Sequence, residues 1–475
     1  MIALSRAEIA EIVGGRLVGD DAVLAPGEVH TDSRRATTGS IFFAMPGEFT
    51  DGHLFAAAAV TNGAVLVVAE RELDLAVSQI VVPNGVTALA ALAREVVARV
   101  RALGLLRVVA VTGSNGKTTT KNMLRAILEL QGRTVAPRGS FNNHVGAPIS
   151  MLDIDFDTRY LIVEMGASAI GEISQLISIV KPDVGIVLKV GLAHVGEFGG
   201  PDAVEIAKSE MVTDLDETDD AILNADDPRV VRMAGRTRAR VTWFGLAGSA
   251  DVRAEDVEAT ASGTAFTLVG PGVQQRVQLR ILGEHHVMNA LAAITGALAL
   301  GVAIAESIAP LEQLVRAERW RMELLQRDDG VLVINDGYNA SPDSMAAALK
   351  TLAQVITPEQ RSIAVLGEMA ELGEYADEEH DRIGRLIVRL NIQKLIVVGH
   401  NARHIHNAAG LEGSWDGESV LVADADEAYD LLRDQLRIGD VVLVKSSGSA
   451  GLRFLGDRIA GVAVEEDSPQ SKDHG

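Results

Sequence analysis

A run of β-branched and small apolar residues, Val108-Val109-Ala110-Val111-Thr112, breaks into Gly113-Ser114-Asn115-Gly116-Lys117-Thr118-Thr119 and continues into a helical pattern from Lys121 to Leu130. A short buried run, a glycine turn and a helix together make the start of a parallel β-α unit, in which the first helical N–H groups face the loop. Such a loop cradles phosphate. The common spacing is Gly-x-x-x-x-Gly-Lys followed by Ser or Thr; Val111 holds its first position here, which leaves a shortened Gly-x-x-Gly-Lys-Thr form. At the helix entrance Lys117 reaches β- and γ-phosphate oxygens and the Thr118 hydroxyl ligates Mg2+. The bland alternative is an ordinary glycine-rich turn, and the Lys-Thr-Thr register weighs against it.

The same strand-helix alternation recurs along the chain. Strand-like runs at Tyr160–Met165, Val184–Val190 and Ala221–Asn224 are separated by helical segments, and a second series follows Arg319 at Val331–Asn335, Ser362–Leu366, Lys394–Val398 and Val441–Val444. A chain of 475 residues accommodates about three units of ~150 residues. We read residues 1–83 as a small first unit with little helix-strand alternation, ended by Pro83-Asn84-Gly85. Leu89, Leu92, Val96, Val100 and Leu103 then recur at helical spacing, so Thr87–Leu103 is an amphipathic helix leading into residues 84–318, the central unit. Residues 319–464 form a doubly wound third unit and 465–475 a polar tail. The expected class is α/β in three domains, with ligands at strand carboxyl ends.

Composition narrows the function. Aliphatic and other hydrophobic residues make up 47% but aromatics only 4%, so the cores are built from Ala, Val, Leu and Ile. The absence of cysteine excludes disulfides and thiolate metal sites and fits a reducing compartment; with no basic, apolar leader at the N-terminus, the expectation is a cytoplasmic protein. The longest uncharged apolar run, Ala290–Ala305, is shorter than the ~20 residues a bilayer requires and reads as a buried helix, so no membrane insertion is expected. A net charge of −22 argues against nucleic acid and requires any polyanionic substrate to be captured by local cations.

Three further residues carry candidate chemistry. Glu164 ends an apolar strand before Met165-Gly166, which places a carboxylate at the mouth of the sheet that bears the loop; Mg2+ ligand and helix-start acid are equally compatible with this. His194 follows the Val184–Val190 run in Gly191-Leu192-Ala193-His194, and alone reads as a satisfied loop residue. Lys208, on a helical segment, is a solvated cation in the plain reading; in the sharper one it is a desolvated amine that captures CO2 and ligates a second Mg2+ as a carbamate.

These residues, in this order, resemble the Mur ligases, ATP-dependent amide-forming enzymes of peptidoglycan precursor synthesis. Thr31-Asp32-Ser33-Arg34, Gly39 to Ala44, Gly47 and Asp51-Gly52-His53 are similar to the family's UDP-binding domain. The centre is similar in Gly113 to Thr119, Phe141-Asn142-Asn143-His144 to Pro148, Glu164-Met165-Gly166, His194, Lys208 and Leu223 to Pro228. In the third unit Asp336 to Met345 and Leu366 to Gly373 resemble the branch that adds D-alanyl-D-alanine, and the Asp-Asn-Pro-Arg typical of the tripeptide-forming branch is missing after Gly399.

The resemblance implies a small α/β UDP-binding domain, a central P-loop domain with a parallel sheet and a C-terminal Rossmann-like domain. It implies that Ser33, Arg34, Asn142 and Asn143 bind a UDP-N-acetylmuramoyl-tripeptide, that Gly113, Ser114, Asn115, Gly116, Lys117, Thr118, Thr119, Asn289, Arg321 and Asp336 bind ATP, and that Asn339, Ser344 and Lys445 serve the incoming D-alanyl-D-alanine. Thr118 and Glu164 would hold one Mg2+, His194 and a carbamoylated Lys208 a second, with Lys117, His194 and Lys208 as the catalytic set and a monomer as the working form. Three positions depart from the family pattern. Gly283-Glu284-His285-His286 replaces Gly-x-His-Asn, Trp320-Arg321 replaces Gly-Arg, and Lys445-Ser446-Ser447-Gly448 lacks the arginine that often follows the serine. The competing functions are a tripeptide-forming sister ligase, a folate polyglutamylating ligase, which lacks the Asp-Ser-Arg domain, and a nucleotide-dependent binding protein without ligase activity.

Overall fold

The computed structural model describes residues 1–462 apart from 25–26, 48–49, 261, 317 and 414; the polar tail at 465–475 lies outside the described residues. Three main sheets follow one another along the chain. The first has five strands in the order Arg16–Val18, Ser78–Val81, Leu66–Ala69, Ile41–Ala44 and Val29–His30, parallel except for the first pair. This corrects the reading of residues 1–83 as poor in alternation: its strands and helices are two to seven residues long, too short to show a period.

The central sheet has nine strands. Arg107–Thr112 lies inside it, with Tyr160–Glu164 in parallel register on one side and Val184–Val187 on the other. The chain leaves Arg107–Thr112 toward the edge strand Thr134–Val135, returns through Tyr160–Glu164, and then crosses to the opposite side. The glycine loop therefore sits where the strand order reverses, which opens a crevice at the carboxyl ends of the strands. Beyond Asp220–Asn224 and Arg240–Gly245 the sheet is extended by Val252–Thr260, Gly263–Gly270 and Val273–Leu279, the last two antiparallel. The sequence reading lacks this extension because Val252–Thr260 alternates buried with solvated positions and carries Arg253, Glu255, Asp256 and Glu258.

The third sheet has six strands: Glu323–Gln326 is antiparallel to Leu332–Asn335, and Asp440–Lys445, Arg361–Leu366, Lys394–Val398 and Glu418–Val422 follow in parallel. Helices cover both faces, giving one apolar cluster on each. The helix Gly85–Arg101 starts at the Asn84 cap and buries Leu89, Leu92, Val96 and Val100 in a cluster shared by the first sheet and one face of the central one. At about 1.5–3 kcal/mol per buried aliphatic side chain, this helix holds the first lobe on the second. The run Ala290–Ala305 is two helices, His285–Ala299 and Ile304–Gln313, parted at Gly301 by a positive φ of 89°. No helix among the described residues is long and apolar enough to cross a membrane.

Candidate active site

The glycine loop is shaped by two close approaches. Gly113 (φ 150°) passes the Leu188 side chain, and a Cβ on Gly116 (φ 86°) would lie 2.3 Å from Asn289 Oδ1, so a side chain at either position is excluded. Ser114 is tied to the neighbouring strand end: its N–H donates to Lys189 O at 2.8 Å and its Oγ accepts from Gly191 N at 2.8 Å. The helix begins at Lys117, four residues before the sequence pattern places it, and no side chain caps its first turn. Those N–H groups remain available to an anion. Lys117 folds back, Nζ donating to Gly113 O at 2.8 Å; Asn289 Oδ1 accepts from Thr120 Oγ1 at 3.4 Å, and Thr119 is buried in the first turn.

At the same helix start Thr118 Oγ1 lies 3.0 Å from Ser140 Oγ and donates to Glu164 Oε1 at 3.3 Å. Glu164 is 1% exposed; its Oε1 also accepts from Asn142 Nδ2 at 2.8 Å, while Oε2 has no partner among the described residues. A buried carboxylate oxygen left open beside two hydroxyls is an oxygen-donor set suited to a hard divalent cation. Asn143 turns away, its Oδ1 capping the N–H groups of Val145 and Gly146.

His194 heads the four-residue helix Val195–Phe198 with a left-handed backbone (φ 60°). Its Nδ1 is 2.5 Å from Glu371 Oε2 of the third lobe and 3.4 Å from Glu197 Oε2, a group of three possible metal-ligating side chains. Lys208 is 2% exposed on the helix Pro201–Thr213. Desolvation, helped by the nearby Lys117 charge and opposed by Glu210, lowers its pKa to about 7. Desolvation also pulls Lys117 below the ordinary lysine value, opposed by Glu164.

The third lobe closes over this crevice. Ser341 Oγ donates to Asn115 Oδ1 at 2.9 Å, Lys189 pairs with Asp343 at 2.9 Å, and Arg321 Nη2 donates to Ser140 Oγ at 3.1 Å while its guanidinium lies over the Tyr338 ring. Asp336 accepts from Met322 N at 3.0 Å and pairs with Lys445 at 2.7 Å. Lys445 is 2% exposed and also donates to Asn339 O, so it is turned beneath Asp336 rather than toward an open surface. Ser344 forms a capping box with Ser341. Trp320 has φ 57° where the family pattern has glycine; a left-handed non-glycine residue costs about 1–2 kcal/mol, and an indole hydrogen bond to Asp457 offsets it. In the first lobe Arg34 is engaged by Asp32 and Ser33 is buried.

Four contributors had no site role in the sequence reading. Fully buried Lys121 donates to the Pro137 and Gly139 carbonyls at 2.8 and 2.6 Å and pins the segment that carries Ser140 and Asn142. Arg35 of the first lobe lies over the Phe141 ring, reaching the same segment. Ser140 and Glu371 complete the set. A lysine one turn after Lys117 was the available signal for Lys121, and the Leu366 to Gly373 motif the one for Glu371; the others are brought in by folding alone.

Comparison with known proteins accords with this arrangement. Residues 28–110, 111–297 and 320–448 match, respectively, the Mur ligase family catalytic domain, the Mur ligase middle domain and the Mur ligase glutamate ligase domain. A Mycobacterium bovis protein named UDP-N-acetylmuramoyl-tripeptide--D-alanyl-D-alanine ligase is 42% identical, covering 97% of this chain and 98% of its own. The crystal structure of MurF from Acinetobacter baumannii superposes with a TM-score of 0.86 at 31% identity, over 97% of this chain and 99% of that one. The MurF ligase of Thermotoga maritima in complex with ADP gives 0.79 at 27% identity, over 92% and 97%. With its three lobes matched in order along nearly the whole length, the chain belongs to the Mur ligase family.

Proposed function

We propose that this protein joins D-alanyl-D-alanine to UDP-N-acetylmuramoyl-tripeptide with consumption of ATP, acting as a monomer, with residues 1–83 holding the UDP-sugar, 84–318 the ATP and 319–464 the dipeptide. The observation that carries the reading is the convergence of Lys117, Thr118 and the open Glu164 oxygen at the glycine loop, under a third lobe that touches the loop through Ser341. The relatives named for this reaction, similar over almost their whole length, supply the substrate class.

A carboxylate is unreactive toward an amine until it carries a leaving group. In the proposed reaction the tripeptide carboxylate attacks the γ-phosphorus, ADP departs, and the dipeptide amine then expels phosphate from the acyl phosphate. Two unit charges ~4 Å apart in a partly screened site repel by about 4 kcal/mol, so cations must precede chemistry. Lys117, swung from Gly113 O, offsets the phosphate charge, and the uncapped N–H groups of the helix grip the phosphate oxygens. Thr118 and Glu164 would hold one Mg2+; His194 with Lys208, as a carbamate, would hold a second, the unprotonated amine that burial favours being the form that adds CO2, with loss of a proton. When bound, such ions supply charge neutralisation between the carboxylate and the triphosphate. Asn142 orients Glu164, Asn289 and Asp336 flank the nucleoside, and Arg321 brings third-lobe charge to Ser140. Lobe contacts at Ser341, Asp343 and Glu371 exclude water, the competitor for an acyl phosphate.

The test is mass spectrometry of the product formed from UDP-tripeptide, ATP and D-alanyl-D-alanine, alongside ADP release with each substrate omitted in turn. The expected result is a UDP-pentapeptide and ADP release that depends on both partners. ADP release indifferent to the dipeptide, with no amide product, overturns the reading in favour of a nucleotide-dependent binding protein.

A further inference from the structure

The helix Lys117–Leu128 carries a second lysine one turn beyond its first, and at this spacing both leave the same face. Lys121 is 0% exposed, and the reaction proposed above makes no use of it. Burial pulls its pKa below the ordinary lysine value, with the Glu164 and Glu318 charges opposing. A buried ammonium needs acceptors for its N–H groups. Lys121 Nζ finds two on one short stretch of backbone, Pro137 O at 2.8 Å and Gly139 O at 2.6 Å.

Residues 136–145 belong to no helix or strand, so no ladder of backbone hydrogen bonds sets their path. Ties at either end act instead: Gly166 N donates to Asn142 O at 2.8 Å, and Lys121 grips the carbonyls at the start. All three lobes meet on the residues between. Ser140 Oγ lies 3.0 Å from Thr118 Oγ1 and accepts from Arg321 Nη2 of the third lobe at 3.1 Å. Arg35 of the first lobe covers the Phe141 ring. Asn142 Nδ2 donates to Glu164 Oε1 at 2.8 Å, which engages one carboxylate oxygen and leaves Oε2 open. The hold of Lys121 on this segment therefore reaches the Thr118 and Glu164 oxygens through Ser140 and Asn142.

We propose that Lys121 is a positioning residue for the divalent cation: by gripping the Pro137 and Gly139 carbonyls it fixes Ser140 and Asn142, and through them presents Thr118 Oγ1 and Glu164 Oε2 to the ion. The inference rests on the Thr118 and Glu164 cation reading above and adds a residue that acts without a bond to the ion. Mn2+ is the probe, titrated into the full chain with ADP present; the protein-bound ion is read by enhanced water-proton relaxation, which Mn2+ on free ADP gives only weakly. In Lys121→Met the Mn2+ dissociation constant should rise about tenfold, the loss expected when a partner that orients a metal ligand is removed. Lys121→Gln keeps an amide donor, should lose less, and carries the test if the methionine variant does not fold. Asn142→Ala should weaken Mn2+ binding as well, and adding Lys121→Met to it should weaken it little further, because both act along one route. Unchanged Mn2+ affinity in a folded Lys121 variant overturns the inference. Tighter binding overturns it too, since that is what removing a positive charge near Glu164 gives when charge alone is at work. Losses that multiply in the double variant place Lys121 outside the route through Asn142 and also overturn it. A wild-type protein that takes up no Mn2+ overturns the cation reading itself.

Discussion

The two walls of the crevice are built on opposite terms. On the central-lobe wall Glu164 Oε2, Asn115 Nδ2 and His286 Nε2 are buried without partners among the described residues, and the Lys208 side chain is buried as well. On the third-lobe wall Asp336 is held by Lys445 and Met322 N, Ser341 and Ser344 cap each other, and Asp457 takes Trp320, Arg319 and Asn335 together. A buried polar group left unsatisfied costs about 1–3 kcal/mol, so the central wall gives up stability to keep groups ready for ligands. The third wall spends most of its polar groups on its own shape, Arg319 Nε and Arg321 Nε being left open there among the described residues. Substitutions should therefore separate: on the central wall they remove activity and spare the fold, and on the third wall they weaken the fold first.

The sharpest break of this comparison is Lys117→Ala, which should lower ADP release about a thousandfold, as loss of a preorganised charge at a transition state does, with an unchanged melting temperature. Comparable turnover in the variant rejects the glycine-loop assignment. Next, Lys208→Ala should be nearly inactive and partly rescued by short carboxylic acids, whose oxygens replace those of the carbamate; full activity without any added acid returns Lys208 to a packing role. On the opposite wall, Lys445→Met leaves the buried Asp336 charge unpaired and should cost about 3–5 kcal/mol in urea unfolding. The double variant Lys445→Met with Asp336→Leu should recover much of that. If Lys445→Met proves neutral to stability while abolishing activity, the distinction between the walls fails.

The sequence made the first wall legible and left the second largely hidden, for a physical reason. Glycine loop, Thr118 and Glu164 are set by local rules: a positive φ that requires glycine, a helix start, a strand carboxyl end. Lys208 and His194 could be named, but the burial of one needs the central-lobe elements packed around its helix, and the third-lobe carboxylate facing the other lies more than a hundred residues away in the chain. Ser140 is an unremarked serine until Lys121, Thr118 and Arg321 meet around it. Lys445 was expected at the dipeptide; its pairing with Asp336, brought about by Asp440–Lys445 lying beside Leu332–Asn335, is something no local pattern announces. The alternation of strands and helices in the central and third lobes was readable because their strands are buried on both faces and so appear as unbroken apolar runs. The short first-lobe elements and the half-solvated Val252–Thr260 strand were not.

His285 gives the smallest effect and the most direct report on whether the walls meet. It belongs to the central lobe but faces Asp336 and Lys445 of the third; desolvation lowers its pKa to about 4, with Asp336 opposing and Lys445 reinforcing. An unfolded histidine titrates near 6.5, so between pH 6.5 and about 4 the unfolded chain binds a proton that the folded chain does not. Stability therefore declines as the pH falls through that window and gains no further loss from this residue below it. Melting temperatures of wild type and His285→Gln measured from pH 7.5 downward should converge as the pH falls, because the variant lacks this proton-linked loss. A pH-independent difference would mean that water reaches the His285 ring, and that the lobes stand apart in the ligand-free protein instead of closing on the glycine loop.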